Sequence, residues 1–222
     1  VNRGREKVIG SRDGLFYIDE AAGVVKSFVK PVLTSDLILT ICFYAGEYYI
    51  GTYGGGMMVL NPETLSLEYF TQGDTELFQK GHIFCVKPDA KGNLWIGTSQ
   101  GLFCYSKQTQ QIKHFTSANS QLPEGNVYEV SFDSTGKGWI ATETGMCIYD
   151  PASRSLRSNV FPEGFVNKDK VRTIYEDAAH RLYFIREKGS LFTSTLTMDR
   201  FQNRSIFSTL PDNSLMSVVE DN

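Results

Sequence analysis

The sequence contains no basic run, no CxxC pair and no long apolar stretch. Its 22 lysines and arginines are balanced by 25 acidic residues, which gives a formal net charge of −3 at pH 7. Because nucleic-acid binding requires a concentrated basic surface, this balance argues against nucleic acid as a partner. No run reaches the roughly 18 apolar residues that a transmembrane helix needs, so direct membrane insertion is not predicted.

The four cysteines are not arranged as metal ligands or as a redox pair. Each lies inside an apolar, strand-like run, whereas a metal site needs close and convergent ligands. The pattern predicts reduced thiols in the core, and a disulfide is the alternative. The residues are Cys42, Cys85, Cys104 and Cys147.

What the sequence does contain is an internal repeat. Its clearest copy runs over residues 89–105, and the next runs over 133–149. Aligned positions differ by 44, as in Trp95 and Trp139 (139 − 95 = 44). A further copy begins at Asp177, and looser copies lie upstream of residue 89. A period of about 40–50 residues made of strands indicates β-propeller blades, because four strands and their turns consume that length.

One copy illustrates the four strands of a blade. Residues 127–132, 139–142, 146–149 and 156–161 are the predicted strands, and Asp133 begins a turn. We therefore predict an all-β fold, a β-propeller of four-stranded antiparallel blades. The small residues Gly51, Gly97 and Ala141 are expected to let a neighbouring blade approach closely. Trp95 and Trp139 are read as blade packing rather than as sugar platforms.

The repeat also predicts blade limits. The first blade is expected to supply its second to fourth strands from about Glu6, and residues 215–221 are read as a first strand. That last strand either closes a five-bladed ring or belongs to a larger propeller, and the abrupt stop after it favours the larger propeller. The predicted limits are 1–33, 34–79, 80–123, 124–167 and 168–211, with 212–222 as the first strand of a next or closing blade.

The unit D-x-x-G-N-L-W-I-G-T-x-x-G-L-x-x-Y, spelled by residues 89–105, resembles the two-component regulator propeller repeat. The resemblance implies the periplasmic sensor region of a hybrid two-component histidine kinase. It further implies oligosaccharide ligands from glycan breakdown, transcriptional output, and a neighbouring propeller or immunoglobulin-like domain in the same parent chain. The kinase histidine and phosphoacceptor aspartate of that family have no counterpart in this sequence.

No catalytic residue, metal site or cofactor is predicted. The histidines His82, His114 and His180 occupy three different places in the repeat, which argues against convergence. The regularly spaced aspartates Asp89, Asp133 and Asp177 are read as one turn per blade. The glycine run 54–56 lacks a following Lys-Ser/Thr and a helix, so phosphate binding is not predicted.

Candidate ligand contacts lie at the tips between the second and third strands of each blade. These turns vary in polar character on a regular scaffold, as a binding face requires, although each alone could be a solvated turn. The candidates are Arg12, Tyr53, Gln100, Glu143 and Arg186.

The predicted function is ligand sensing outside the cytoplasm, without catalysis. A protein-interaction scaffold is the main alternative, and a propeller lyase or hydrolase is a second one. A homodimer is left open.

Overall fold

The computed structural model describes residues 1–33, 35–73, 75–158, 161, 170–186, 191–198 and 201–203. Within these residues the strands form five antiparallel sheets, each of four strands in chain order. This arrangement confirms the predicted four-stranded antiparallel blades. Sequential hairpins produce it, because each short strand is followed by a turn that returns the chain beside it.

The chain divides into two compact units. One is Val1–Ser99 with Phe103–His114, and the other is Gln100–Leu102 with Phe115–Asn222. The first sheet contains β1 (Asn2–Arg3), β2 (Glu6–Gly10), β3 (Leu15–Asp19) and β4 (Val24–Phe28). The second contains β5 (Ile38–Tyr44), β6 (Glu47–Thr52), β7 (Met57–Leu60) and β8 (Leu67–Tyr69), followed by the helix α1 (Thr75–Lys80).

The remaining three sheets follow the same order. The third contains β9 (Ile83–Pro88), β10 (Asn93–Thr98), β11 (Gly101–Ser106) and β12 (Gln111–Phe115). The fourth contains β13 (Val127–Phe132), β14 (Gly138–Thr142), β15 (Gly145–Asp150) and β16 (Ser155–Arg157). The fifth contains β17 (Val171–Glu176), β18 (Arg181–Arg186), β19 (Leu191–Thr195) and β20 (Gln202–Asn203).

The first sheet differs from its expected form. Its second to fourth strands begin at Glu6 as expected, but a short first strand, β1, also pairs with β2 through Asn2↔Lys7 and Arg3↔Glu6. Two residues are too few to leave a sequence pattern, which explains why β1 was not predicted. The strand predicted over 215–221 and the limits near 167 and 211 lie outside the described residues, and the blade limits stay predictions.

An aspartate organises the first turn of the third sheet. The Asp89 carboxylate accepts hydrogen bonds from the backbone N–H of Lys91 at 2.9 Å and of Asn93 at 2.8 Å. Its second oxygen accepts the indole N–H of Trp95 at 2.9 Å. One side chain thus closes the turn and satisfies the polar atom of a buried ring, which would otherwise be costly to bury.

The same arrangement recurs at offsets of 44 residues. Asp133 accepts the indole N–H of Trp139 at 2.8 Å, and Asp177 accepts the hydroxyl of Tyr183 at 3.0 Å. In the fifth sheet the turn glycine is replaced by His180, which has a φ of 59°. His180 thus forms a degenerate version of this turn, since the left-handed conformation is rare outside glycine.

Neighbouring sheets approach closely where the small residues lie. A Cβ atom on Gly51 would stand 2.7 Å from Cγ2 of Ile83 in the next sheet and 2.6 Å from Cγ2 of Thr40. In the second unit, Ala141 packs in one buried cluster with Val171 of the following sheet. All four cysteines are free thiols, and burial raises the pKa of Cys104 to about 12.

Candidate ligand-binding face

The tips between the second and third strands are held by buried threonines. Thr52 donates its hydroxyl to the carbonyl of Gly56 at 3.0 Å, and Thr142 does the same to Gly145 at 3.0 Å. Each threonine ends the second strand of its sheet, and both are fully buried. These hydrogen bonds hold the turns at the tips, so the residues that follow the threonines occupy defined positions.

A backbone hydrogen bond ties each tip to the residue before the innermost strand. The N–H of Tyr53 donates to the carbonyl of Leu37 at 3.0 Å, and that of Glu143 donates to Asn126 at 2.9 Å. In the third sheet, Ser99 donates to the carbonyl of His82 at 3.2 Å. Residues just before each innermost strand consequently share one end of the sheet with the tip residues.

Every innermost strand from the second to the fifth sheet carries a β-bulge near its start. The register shifts between Ile38 and Thr40 in β5 and recurs at the equivalent place in β9, β13 and β17. A bulge re-aims the extra side chain, and such features are frequent beside functional sites. The extra residues are Leu39, Phe84, Tyr128 and Arg172.

The first unit carries an aromatic group at this end. The exposed ring of Tyr53 (51% accessible) lies 4.1 Å from the imidazole of His82, which in turn stacks with Phe84 at 6.1 Å. The Ser35 hydroxyl donates to the Tyr53 carbonyl at 2.8 Å. Nδ1 of His82 is buried and has no hydrogen-bond partner in the described part of the chain. We name Tyr53, His82 and Phe84 the tip platform.

The helix α1 explains the glycine run of the second sheet. A Cβ atom on Gly56 would stand 2.0 Å from the carbonyl oxygen of Phe78, and the Gly56 N–H donates to Gly81 at 2.9 Å. Strand β7 follows residues 54–56 directly, so no helix starts there as in a phosphate-binding loop; α1 packs against Gly56 from later in the chain. These glycines admit the helix backbone, and the six-residue helix was too short to give a periodic signal.

The second unit presents a polar group at the corresponding end of its sheets. The side-chain amide of Asn126 donates to the hydroxyl of Tyr128 at 3.0 Å. The Lys170 ammonium lies 4.4 Å from the centre of the same ring, and the Arg172 guanidinium lies 6.0 Å from it. A tyrosine held between an amide and two cations can donate, accept and stack, which suits a polar ligand.

Residues 78–100 match the family model described as two component regulator propeller. This segment is similar to a two-component regulator propeller repeat. No curated protein matches this propeller.

Solved structures are similar to it in fold. One is the extracellular domain of a protein from B. thetaiotaomicron described as a one-component system, with a TM-score of 0.74 and 20% identity, over 91% of this chain and 27% of that one. Another is the extracellular domain of a hybrid two-component system of the same organism, with a TM-score of 0.62 and 22% identity, over 88% and 31%. A β-propeller domain from Myceliophteria thermophila gives 0.62 and 10%, over 90% and 69%.

These likenesses confirm the β-propeller fold. The chain spans about a third or less of the two bacterial domains. Among the described residues, no helix of the propeller is long and apolar enough to cross a bilayer.

The propeller places four of the five predicted contacts as exposed tip residues. Two of them lie in the first unit and two in the second, and Tyr53 is the one that joins an aromatic group. The four are Arg12, Tyr53, Gln100 and Glu143. The bulge residues were missed, although the 44-residue frame that marked the tips also aligns Phe84, Tyr128 and Arg172.

Arg186 lies elsewhere. It ends β18 at the position of Thr142 (186 − 142 = 44), is 8% accessible, and has its guanidinium 4.8 Å from the ring centre of Phe192. Burial lowers the pKa of Arg186 below its ordinary value. Its side chain is therefore buried against Phe192, unlike the four exposed candidates.

Catalytic chemistry finds little support in the propeller. The described residues include no cluster of His, Cys, Asp or Glu that could hold a metal ion. Ser134, Glu176 and His180 do meet, but both partners bond Nδ1 of the imidazole, Glu176 at 2.7 Å and the serine hydroxyl at 3.1 Å. A serine relay needs its acid and its nucleophile on different ring nitrogens. This group instead links the turns of two successive sheets.

Proposed function

We propose that this propeller is an extracytoplasmic, periplasmic ligand-sensing segment of a bacterial hybrid two-component sensor. It responds to glycan-derived oligosaccharides and regulates transcription through a kinase in the same parent protein. The match at residues 78–100 and the likeness to extracellular domains of such systems support this role. Signalling follows if ligand binding favours one geometry of the adjacent domains over another.

The observation that carries the proposal is the tip platform. Tyr53 is large, half-exposed and aromatic, yet it is fixed by the bond from Ser35 to its carbonyl and by the stack on His82. Pre-fixed aromatic rings bind ligands without a large loss of side-chain entropy. The C–H face of a sugar ring packs on such a surface.

The remaining contacts are assigned unit by unit. Arg12 and Tyr53 contribute from the first unit, and Gln100 and Glu143 from the second. Glu143 is partly committed to its own sheet, because its carboxylate lies 3.4 Å from the N–H of Asn126. Arg186 is assigned no direct contact, because its side chain is buried against Phe192.

A protein-binding scaffold is a second candidate. Apolar side chains are exposed in the segment after β4 and in β5, namely Val29, Val32 and Leu39. Such residues are typical of surfaces that bind other proteins.

Calorimetry of the full extracytoplasmic region against a panel of glycan oligosaccharides tests the proposal. We expect binding without turnover, and Tyr53→Ala should weaken it about tenfold through the lost stacking surface. Tyr53→Phe should keep most of the affinity. Ser117→Ala, an exposed position outside the tips, is the matched control. Turnover of a ligand would contradict the proposal. Absence of binding to every oligosaccharide in the panel would also contradict it and would favour the protein-binding scaffold.

A further inference from the structure

The second sheet departs from the repeat at the end opposite its tip. In the third and fourth sheets an aspartate closes the first turn and bonds a tryptophan. In the second sheet the turn consists of Ala45 and Gly46, both with positive φ, and Tyr49 stands at the tryptophan position (95 − 49 = 46). Without a turn aspartate, the Tyr49 hydroxyl donates to the carboxylate of Glu47 at 3.3 Å.

A cleft of about 300 Å³ lies beside this departure, within the first unit. Tyr49, Phe70 and Tyr105 form its aromatic floor, and each is less than 5% accessible. Phe70 packs edge-on against Tyr105 at 5.1 Å and against Tyr49 at 6.2 Å. The floor is therefore rigid, and the cleft does not depend on a mobile loop.

The walls of the cleft are polar and carry both signs of charge. The Lys107 ammonium bonds the Glu47 carboxylate at 2.6 Å and the carbonyl of Ala45 at 3.1 Å. The Tyr105 hydroxyl donates to Gln110 at 3.3 Å, which leaves its oxygen able to accept. Further polar groups line the opening, namely Asn61, Ser66, Glu68, Thr71 and Gln72.

We propose that this cleft binds an uncharged, polyhydroxylated small molecule of the size of a mono- or disaccharide. Hydroxyl groups both donate and accept, as do the groups that line the walls. Two carboxylates, Glu47 and Glu68, face one ammonium, Lys107, so an anionic ligand is disfavoured. The volume lies at the lower end of small-molecule sites, which excludes long chains from the cleft itself.

The cleft is a separate site from the tip platform. Glu47 begins β6 and Thr52 ends it, next to Tyr53. Five residue steps along a strand span roughly 17 Å, so one small molecule does not reach both places. The proposal consequently stands or falls independently of the function proposed above.

A titration of the full chain with glucose and with maltose, followed by NMR of the tyrosine rings, tests the cleft. Glucuronate serves as the anionic counterpart. We expect the neutral sugars to shift the ring signals of Tyr105 and Tyr49, and glucuronate to shift neither. Thr71→Trp, which fills the opening, should weaken binding at least tenfold, while Ser117→Trp places the same ring outside the cleft and should leave binding unchanged.

A milder variant reports on the hydrogen bonds themselves. Tyr105→Phe keeps the floor and removes one hydroxyl, so affinity should fall about threefold to tenfold. The cleft proposal is overturned if neither neutral sugar moves the Tyr105 signal, or if Thr71→Trp and Ser117→Trp bind equally. A shift confined to Tyr53 would assign binding to the tip platform and would also overturn it.

Discussion

The second and fourth sheets have the same strand order but close their first turns differently. In the fourth sheet, Asp133 satisfies two backbone N–H groups and the indole of Trp139. In the second sheet, a two-residue turn leaves Tyr49 to bond Glu47, which lies at the edge of an open cleft. The repeated residues thus stabilise the blade. The second sheet, which departs from the repeat, instead has polar side chains at the edge of a cleft.

The two sheets also differ at their tips. The fourth sheet turns through Glu143 and Thr144, and the Thr144 hydroxyl donates back to Glu124 at 2.6 Å. The second sheet turns through Tyr53 and three glycines, with the ring of Tyr53 half-exposed on His82. The Thr144 hydroxyl is thus bonded within its own sheet, whereas the Tyr53 ring is exposed to solvent.

The largest expected effect separates the two kinds of turn. Asp133→Ala should lower the free energy of unfolding by about 2–4 kcal/mol, because it leaves a buried indole N–H and two backbone donors without their acceptor. Glu47→Ala should cost about 1 kcal/mol or less, since its pair with Lys107 is partly exposed. Urea denaturation followed by tryptophan fluorescence measures both. Equal losses of unfolding free energy in the two variants would contradict the proposed difference between the two turns.

The close approach between sheets gives the next effect. Gly51→Ala should cost about 1–3 kcal/mol, because the new methyl group meets Ile83 and Thr40 at less than 3 Å. The reverse change in the fourth sheet, Ala141→Gly, should cost about 1–2 kcal/mol, through chain entropy and the loss of one buried methyl group. The same denaturation experiment compares them. If Gly51→Ala is neutral, the second sheet does not pack as closely as the structure describes.

The aspartate turn of the fifth sheet predicts a loss of stability in acid. Burial alone would raise the pKa of Asp177, but hydrogen bonds from Arg181 and Tyr183 lower it below its ordinary value. Because the folded pKa is depressed, the stabilisation is present above the unfolded pKa of about 4 and is lost as the pH falls below it. Asp177→Asn should flatten this part of the profile of unfolding free energy against pH. An unchanged acid slope would contradict the assignment.

The smallest effect concerns the turn histidine. With a φ of 59°, His180 occupies a conformation that costs an alanine about 1 kcal/mol more than a glycine. His180→Gly should therefore be more stable than His180→Ala by about that amount, measured by denaturation at pH 8. Both variants lose the contacts to Glu176 and Ser134, so the comparison isolates the backbone.

The fold followed from the sequence because its determinants are local and repeated. Asp89, Gly92 and Trp95 act within one turn, and a copy 44 residues later repeats both the letters and the hydrogen bonds. The helix α1 and strand β1 were missed because neither is long enough to leave a period.

The candidate site was harder to predict. The alignment of the repeat copies located the tips, and Tyr53 is exposed there as expected. It did not reveal that Arg186 packs on Phe192, because burial depends on the third strand as well as on the tip. Nor did it reveal the cleft beside Tyr49, which lies next to a turn shorter than its counterparts and is lined by side chains of two sheets.

The central claim, that binding occurs where the second sheet departs from the repeat, is tested most directly by one NMR titration. The full chain is titrated with maltose and with the oligosaccharide panel, and the ring signals of tyrosine and the indole N–H signals of tryptophan are followed. The account predicts shifts at Tyr53, Tyr49 or Tyr105 and none at Trp95 and Trp139, whose indoles are buried and bonded to aspartates. Shifts at the indoles, or no shift at any of these tyrosines, would contradict it.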